Sequence, residues 1–310
     1  MRLGRISLGA TVLAAAAFAA DRPVEPAPPV SPTLASPARH YSIKLASLFA
    51  APTLPMGLFL RARIDGGPVL NFLLDSGAQH IVLDKRSAAL LGRSAGASLD
   101  MVGLGAMDKT ARSVGTASVQ IGDLVLRNCS LVAVDRKLLE GIDGVIPLAL
   151  FAGFLVRLDI PRKTLDLDPY PADPPSSAEG YSPVLADNRL LYVEAAVNDS
   201  EPGPALLDTG ATYSAISPAA ARAWKYYRVA LPFVSLRVSA GDAEGFLLPP
   251  GIRFHVGPHL LFADPAVVVD FSDIDRHHQF AVTGLIGYSA LRRYVVTIDY
   301  RDSLVRMANR

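Results

Sequence analysis

The sequence predicts an all-β fold with a few short helices, arranged as two related lobes. Three observations carry this. One phrase is written twice, as Leu73-Leu74-Asp75-Ser76-Gly77-Ala78 and as Leu206-Leu207-Asp208-Thr209-Gly210-Ala211. The elements around each copy recur in the same order. A proline-rich stretch from Pro169 to Pro175 lies near the middle of the region that carries them, where a lobe boundary belongs. A chain of 310 residues, half of them apolar, can fill two lobes of roughly 100–150 residues each.

Taken in order, the chain opens on a basic pair, Arg2 and Arg5, followed by an Ala-rich apolar stretch from Leu8 to Phe18. Ala17-Phe18-Ala19 fits a small-x-small cleavage site, so residues 1–19 read as a signal peptide cut after Ala19. The stretch is too short for a membrane-spanning helix of about 20 residues. No later segment has that unbroken apolar length, and no Cys near the cut invites acylation. The expectation is an exported protein, periplasmic or secreted, with no membrane span once the signal is removed. Six prolines between Pro23 and Pro37 make residues 20–56 a linker or propeptide. The first lobe is then 57–170, an inter-lobe linker 171–181 and the second lobe 182–310.

In the first lobe, Leu58 to Ile64 reads as a strand and Asp65-Gly66-Gly67-Pro68 as a turn. Val69 to Leu74 is the strand that delivers Asp75. In the second lobe, Leu190 to Val197, a turn from Asp199 to Gly203, and Ala205 to Leu207 do the same for Asp208. A short helix follows each motif, Lys85 to Leu91 capped by Asp84 and Pro218 to Trp224 capped by Ser217. Farther on, Gly144-Val145-Ile146 parallels Gly284-Leu285-Ile286. Val156-Arg157-Leu158-Asp159 parallels Val296-Thr297-Ile298-Asp299.

Composition excludes several functions. A formal net charge of +1 without clustered basic residues argues against nucleic acid as a partner. Cys129 is the only cysteine, so no internal disulfide forms. An exported chain without disulfides suits a bacterium better than a eukaryotic secretory route. Cys129 sits in an apolar run and reads as core, not as a nucleophile. No Gly-x-Ser-x-Gly elbow is present, and Gly103-Leu104-Gly105 lacks the spacing of a phosphate loop. His277-His278 lacks a second ligand set at metal spacing and reads as a solvated loop. His80, His255 and His259 read as structural, and Tyr226-Tyr227 as packing.

A lone Asp-Ser-Gly is an ordinary turn. Two such phrases, each preceded by Leu-Leu and placed alike in a repeat, predict a paired site across a pseudo-twofold axis. Two carboxylates about 3 Å apart cannot both ionise easily, so their titration belongs to the pair. One serves as general base toward water while the protonated partner polarises a carbonyl. Gly77 and Gly210 let the backbone pass close to the opposite carboxylate.

These residues resemble the pepsin and retropepsin superfamily, most closely its bacterial, exported members with both halves in one chain. The resemblance covers about residues 57–168 and 182–308. It implies a two-lobed closed β-barrel fold with an internal pseudo-twofold duplication and one catalytic aspartate per lobe, Asp75 and Asp208. It implies hydroxyls of Ser76 and Thr209 that cross-link the two loops beneath the site. Water being the nucleophile, no cofactor and no metal are expected. The second half matches the family pattern in Asp208-Thr209-Gly210 and Leu285-Ile286-Gly287. In the first half Asp75-Ser76-Gly77 is followed by Val145-Ile146-Pro147, a proline replacing the distal glycine.

The third position after each aspartate is alanine, Ala78 and Ala211, as in the retroviral branch. Without a hydroxyl donor there, the carboxyl pKa rises, and the expected working pH is less acidic than pepsin's. Gln79 and Thr212 are candidates for contact with a substrate backbone. Met101 to Ala106 and Ser239 to Gly245 fall where flaps belong, with Gly103 and Gly241 near the substrate and no flap tyrosine. The expected function is that of an exported aspartic endopeptidase acting on a peptide or protein as a monomer. The alternative is a non-catalytic peptide-binding protein that keeps the fold.

Overall fold

The computed structural model describes residues 18–20, 32–51, 54–93, 96–103, 106–108, 111–175, 179–223, 231–238 and 241–309. Most of these residues lie in strands, with only short helices between them. The strand Val69–Asp75 lies between Leu54–Ile64, antiparallel to it, and Gly144–Pro147, parallel to it. Beyond Gly144–Pro147 come Ile81–Leu83 and then Leu124–Ala133. The second half repeats this arrangement. Gly203–Leu207 lies between Leu190–Val197 and Gly284–Ile286, followed by Ser214–Ile216 and Ala266–Val269. Parallel and antiparallel neighbours alternate alike in both, so the written repeat is a repeat of topology.

Burial explains why the two Asp-bearing strands are apolar almost throughout. In Val69–Asp75 the last four residues, Phe72 to Asp75, are all buried. A strand covered on both faces reads as a continuous apolar run, and Leu73-Leu74 and Leu206-Leu207 are such runs. The turn Asp65-Gly66 adopts positive φ at both residues, 48° and 71°, the geometry of a tight hairpin that Asp-Gly favours.

A third sheet, six-stranded, joins the halves. Its central pair is Leu155–Asp159 against Tyr294–Asp299, with Val156 opposite Ile298 and Leu158 opposite Val296. The two segments that match each other in sequence therefore pair with each other in space, which is what a pseudo-twofold axis requires. Thr164–Asp168 and Leu304–Asn309 flank this pair, and the edges are Tyr41–Lys44 and Ser182–Pro183.

Tyr41–Lys44 and Ala46–Ala51 fall inside the stretch read as linker or propeptide. The first completes the shared sheet and the second pairs with Leu54–Ile64. Regular pairing thus begins well before residue 57. The Pro-rich joint is held from the second lobe. The Arg301 guanidinium donates to the Pro171 carbonyl at 3.0 Å and lies 4.5 Å above the Tyr170 ring.

Both expected helices form, as Lys85–Leu90 and Pro218–Ala223. Asp84 Oδ1 accepts from the Ser87 N–H at 2.7 Å, and Ser217 Oγ from the Ala220 N–H at 3.2 Å. The end of the second helix at Trp224, and Tyr226-Tyr227, lie outside the described residues. So do residues 1–17 of the expected signal peptide. Phe18–Ala20 forms a strand antiparallel to Asp100–Gly103. Among the described residues no helix is long and apolar enough to cross a membrane.

Candidate active site

Two turns meet at the base of the lobes. Asp75 ends its strand and Asp208 follows directly on Gly203–Leu207. Both side chains are completely buried. The Gly77 N–H donates to Asp75 Oδ1 at 2.7 Å, and the Gly210 N–H to Asp208 Oδ1 at 2.9 Å. The Ala211 N–H adds a second bond to Asp208 Oδ1 at 2.9 Å. Each carboxylate is thus oriented by the backbone of its own turn.

The glycines also bring the partners together. A Cβ on Gly77 would stand 2.6 Å from the Asp208 carboxyl carbon, and one on Gly210 would stand 2.3 Å from that of Asp75. Each turn presses its glycine against the other lobe's aspartate, and no side chain fits. The approach needs the absence of a Cβ rather than an unusual φ.

Below the carboxylates the turns interlock. The Ser76 N–H donates to Thr209 Oγ1 at 3.1 Å, and that hydroxyl donates to the Leu74 carbonyl at 3.0 Å. Reciprocally, the Thr209 N–H donates to Ser76 Oγ at 3.0 Å, and Ser76 donates to the Leu207 carbonyl at 2.8 Å. All four bonds are buried and all cross between lobes. Either residue could be Ser or Thr, because the lattice needs only a hydroxyl that gives and takes one bond.

Electrostatics set the pair's protonation. Burial raises Asp75 well above the usual carboxylate range, and the adjoining Asp208, by its charge and by a hydrogen bond, raises it further. Burial also raises Asp208, to about 6, while its bonds to Asp75, Ala211 and Gly210 pull the other way. Two carboxyls this close share one proton, and their titration belongs to the pair. Among the described residues, no donor outside the pair reaches Asp75 Oδ2 or Asp208 Oδ2.

A stability prediction follows. Both folded pKa values lie above the unfolded value of about 3.9, so the folded state binds more protons. The pair's contribution is fully present below about pH 4 and is lost as pH rises through about 6. The melting temperature should therefore fall from pH 4 to pH 8 more steeply in the native chain than in Asp75→Asn/Asp208→Asn. Parallel curves would refute the shared burial of the two charges.

The lobes differ behind the turns. In the second, the Gly287 N–H donates to Ser214 Oγ at 3.0 Å. A Cβ on Gly287 would stand 2.4 Å from the Tyr213 carbonyl oxygen, which is why glycine sits there. In the first lobe the corresponding positions are Pro147, opposite Asp75 in register, and Ile81. Donor and acceptor are lost together, and both replacements are buried. The proline leaves no orphaned partner.

Ala78 and Ala211 are fully buried beside the dyad. Thr212 is buried and donates to the Met56 carbonyl at 3.0 Å, tying the second motif to the first lobe. Gln79 is partly buried, and its Nε2 has no acceptor among the described residues. Gly103 ends the strand Asp100–Gly103, which pairs with Ala106–Asp108. Gly241 begins Gly241–Leu247, which pairs with Phe233–Val238. The tips, Leu104-Gly105 and Ser239-Ala240, lie outside the described residues. The first hairpin reaches the second lobe, against Gly241–Leu247 and the helix Ser272–Asp275.

His278 is no solvated loop residue, for its side chain is fully buried. It contacts Asp187 Oδ2 through Nδ1 and the Tyr192 hydroxyl through Nε2, the latter at 2.9 Å. The sequence carried no signal for this, since Asp187 and Tyr192 lie some ninety positions away. Cys129 is buried, and burial pushes its thiol up to about 12, the opposite of an activated thiolate. Among the described residues no group of His, Cys, Asp or Glu is placed to hold a metal.

Residues 60–148 match the family described as aspartyl protease. The fold is similar to the crystal structure of an aspartic proteinase from Irpex lacteus, with a TM-score of 0.53 and 13% identity. That likeness covers 87% of this chain and 97% of the other. No curated protein matches the sequence. Family match and fold together support a pepsin- and retropepsin-like aspartic protease, mainly β and two-lobed.

Proposed function

We propose that the chain is an aspartic endopeptidase in which Asp75 and Asp208 activate one water for attack on a peptide carbonyl. The reciprocal burial of each carboxyl against the other lobe's glycine carries this reading. The ionised carboxylate of the pair takes the proton from water as general base. The other carboxyl, which holds the shared proton, donates it to the carbonyl oxygen as charge builds there. The tetrahedral adduct then collapses with return of a proton to the leaving amine. An extended peptide would lie between the dyad and the hairpins, held by strand-like backbone bonds. Both carboxyls being buried, substrate enters when the hairpins part.

Export, a bacterial source, a periplasmic or secreted location and a monomeric state belong to this proposal. They are supported by the basic and Ala-rich N-terminus, the single cysteine and the presence of both aspartates in one chain.

The test is cleavage of an unstructured protein by the full chain across pH 3–8, with and without a statine-type inhibitor. The active dyad carries one proton. Activity should therefore rise as Asp208 loses its proton near pH 6 and persist above that. A maximum near pH 2 would overturn the protonation assignment. Inhibitor-sensitive peptide binding without cleavage at any pH would favour a non-catalytic peptide binder.

A further inference from the structure

The first hairpin carries a third strand. Asp100–Gly103 pairs with Ala106–Asp108 on one side and with Phe18–Ala20 on the other, antiparallel to both. The register sets Phe18 opposite Val102, Ala19 opposite Met101 and Ala20 opposite Asp100. The three strands form a small sheet of their own, apart from the sheets of the lobes. The N–H and C=O groups along a strand point alternately to its two neighbours. The groups of Asp100 to Val102 that turn away from Ala106–Asp108 therefore meet the backbone of Phe18–Ala20.

This pairing falls on the part of the hairpin that closes the site. Met101, the partner of Ala19, is 2% exposed and packs in the apolar cluster that also holds Ala78 and Ala211 beside the dyad. Leu99 packs against the same cluster. Both arms reach the second lobe, Asp100–Gly103 at the helix Ser272–Asp275 and Ala106–Asp108 at Gly241–Leu247. Both aspartates are fully buried with the hairpin in this place. A two-stranded ribbon is marginal by itself, and a third strand makes it firmer. The outer arm would otherwise present a row of free donors and acceptors, which the added strand satisfies.

We propose that Phe18–Ala20 is a strap that holds the first hairpin shut over the dyad, so that the chain is latent while this segment stays paired. A peptide enters when the hairpin lifts, and lifting it takes Met101 out of the buried cluster. With the strap in place, that movement either breaks the pairing or drags the N-terminal segment along. The cut expected after Ala19 takes Phe18 and Ala19, two of the three paired residues, so leader removal and release of the hairpin become one event. The latency rests on the function proposed above, whereas the strap rests on the strand pairing alone.

The test is amide hydrogen exchange by NMR on the full chain, expressed without export so that residues 1–19 are kept, beside the full-length variant Ala19→Pro/Ala20→Pro. Proline has no N–H and a fixed φ, so the third strand is lost while the catalytic turns are untouched. In the native chain, cross-strand NOEs should join Ala19 to Met101, and the amides of Asp100–Gly103 should exchange slowly. In the variant those amides should exchange at least about tenfold faster, with the core strand Val69–Asp75 unchanged. Missing NOEs in the native chain, or equal hairpin exchange in the two chains, overturns the proposal. The NOEs need no variant, so they decide the pairing even if the prolines spoil the fold. Cleavage of an unstructured protein then reads the latency, and the variant should cut at least about tenfold faster. A freed hairpin with equal, measurable cleavage in both chains overturns the latency. A freed hairpin with no cleavage in either chain defeats the endopeptidase reading and the latency with it, and leaves the strap standing on the exchange data.

Discussion

On the proposed mechanism, Asp208→Asn is expected to lower the cleavage rate by about 10³-fold while leaving the fold intact, because the dyad loses a carboxylate. The amide matches the carboxyl in shape, so the glycine that presses on it, Gly77, still fits. Stability should hold or rise at neutral pH. The native pair is charged there at the expense of burial, and the amide is not. The Asn side chain still offers an oxygen to the Gly210 and Ala211 N–H groups that now meet Asp208 Oδ1. Loss of activity through misfolding would appear as a lowered melting temperature. Activity within tenfold of the native chain, in a folded variant, would remove Asp208 from the proposed chemistry. Asp75→Asn should be as inactive, since in the proposed mechanism the pair needs both carboxyls to share and pass one proton.

Thr209→Val should be the most damaging change among residues that take no part in proton transfer. The threonine hydroxyl accepts from the Ser76 N–H and donates to the Leu74 carbonyl, and valine keeps its shape without either function. Two buried backbone groups lose their partners at once. Each such orphan costs about 1–3 kcal/mol, so about 2–6 kcal/mol of stability should disappear. Denaturant midpoints with an unchanged m-value would measure it. Both broken bonds join the lobes, so the turns can drift apart and turnover should fall with stability. Thr209→Ser restores the hydroxyl and should recover both. A cost below about 0.5 kcal/mol would show that the interlock bears no strain in holding the lobes.

The repeat was legible because duplication leaves the same local physics in two places. Leu-Leu before each aspartate reports a strand buried on both faces, and Gly after it reports a close approach. Asp84 and Ser217 announce their helices through the same capping rule, and both cap in the structure. The matched segments Val156–Asp159 and Val296–Asp299 announced a symmetric element, though not that they would pair with each other.

Other features had no local signal. Tyr41–Lys44 follows a run of prolines and has little strand character of its own. It becomes a strand because Thr164–Asp168 presents an open edge to it. Pro147 departs from the family pattern and reads as a defect in isolation. It is harmless beside Ile81, a residue that draws no notice until the two are seen as counterparts of Gly287 and Ser214. His278 sits among charged residues and reads as exposed. Only contact with Asp187, Tyr192 and Phe280 makes it a buried link.

A duplicated β chain with one Asp-(Ser/Thr)-Gly turn per half is legible from the residues in order. This is so because strand burial, capping and the need for glycine act within a few residues and leave their mark on composition. Only the assembled fold shows that the turns lock across the lobes, that burial raises both carboxyls, and that His278 is buried against Asp187 and Tyr192. Those outcomes depend on distances between residues far apart in the chain and on exclusion of water from the space they enclose. Charge and hydrogen bonding act through that space, and a sequence read in order does not contain it.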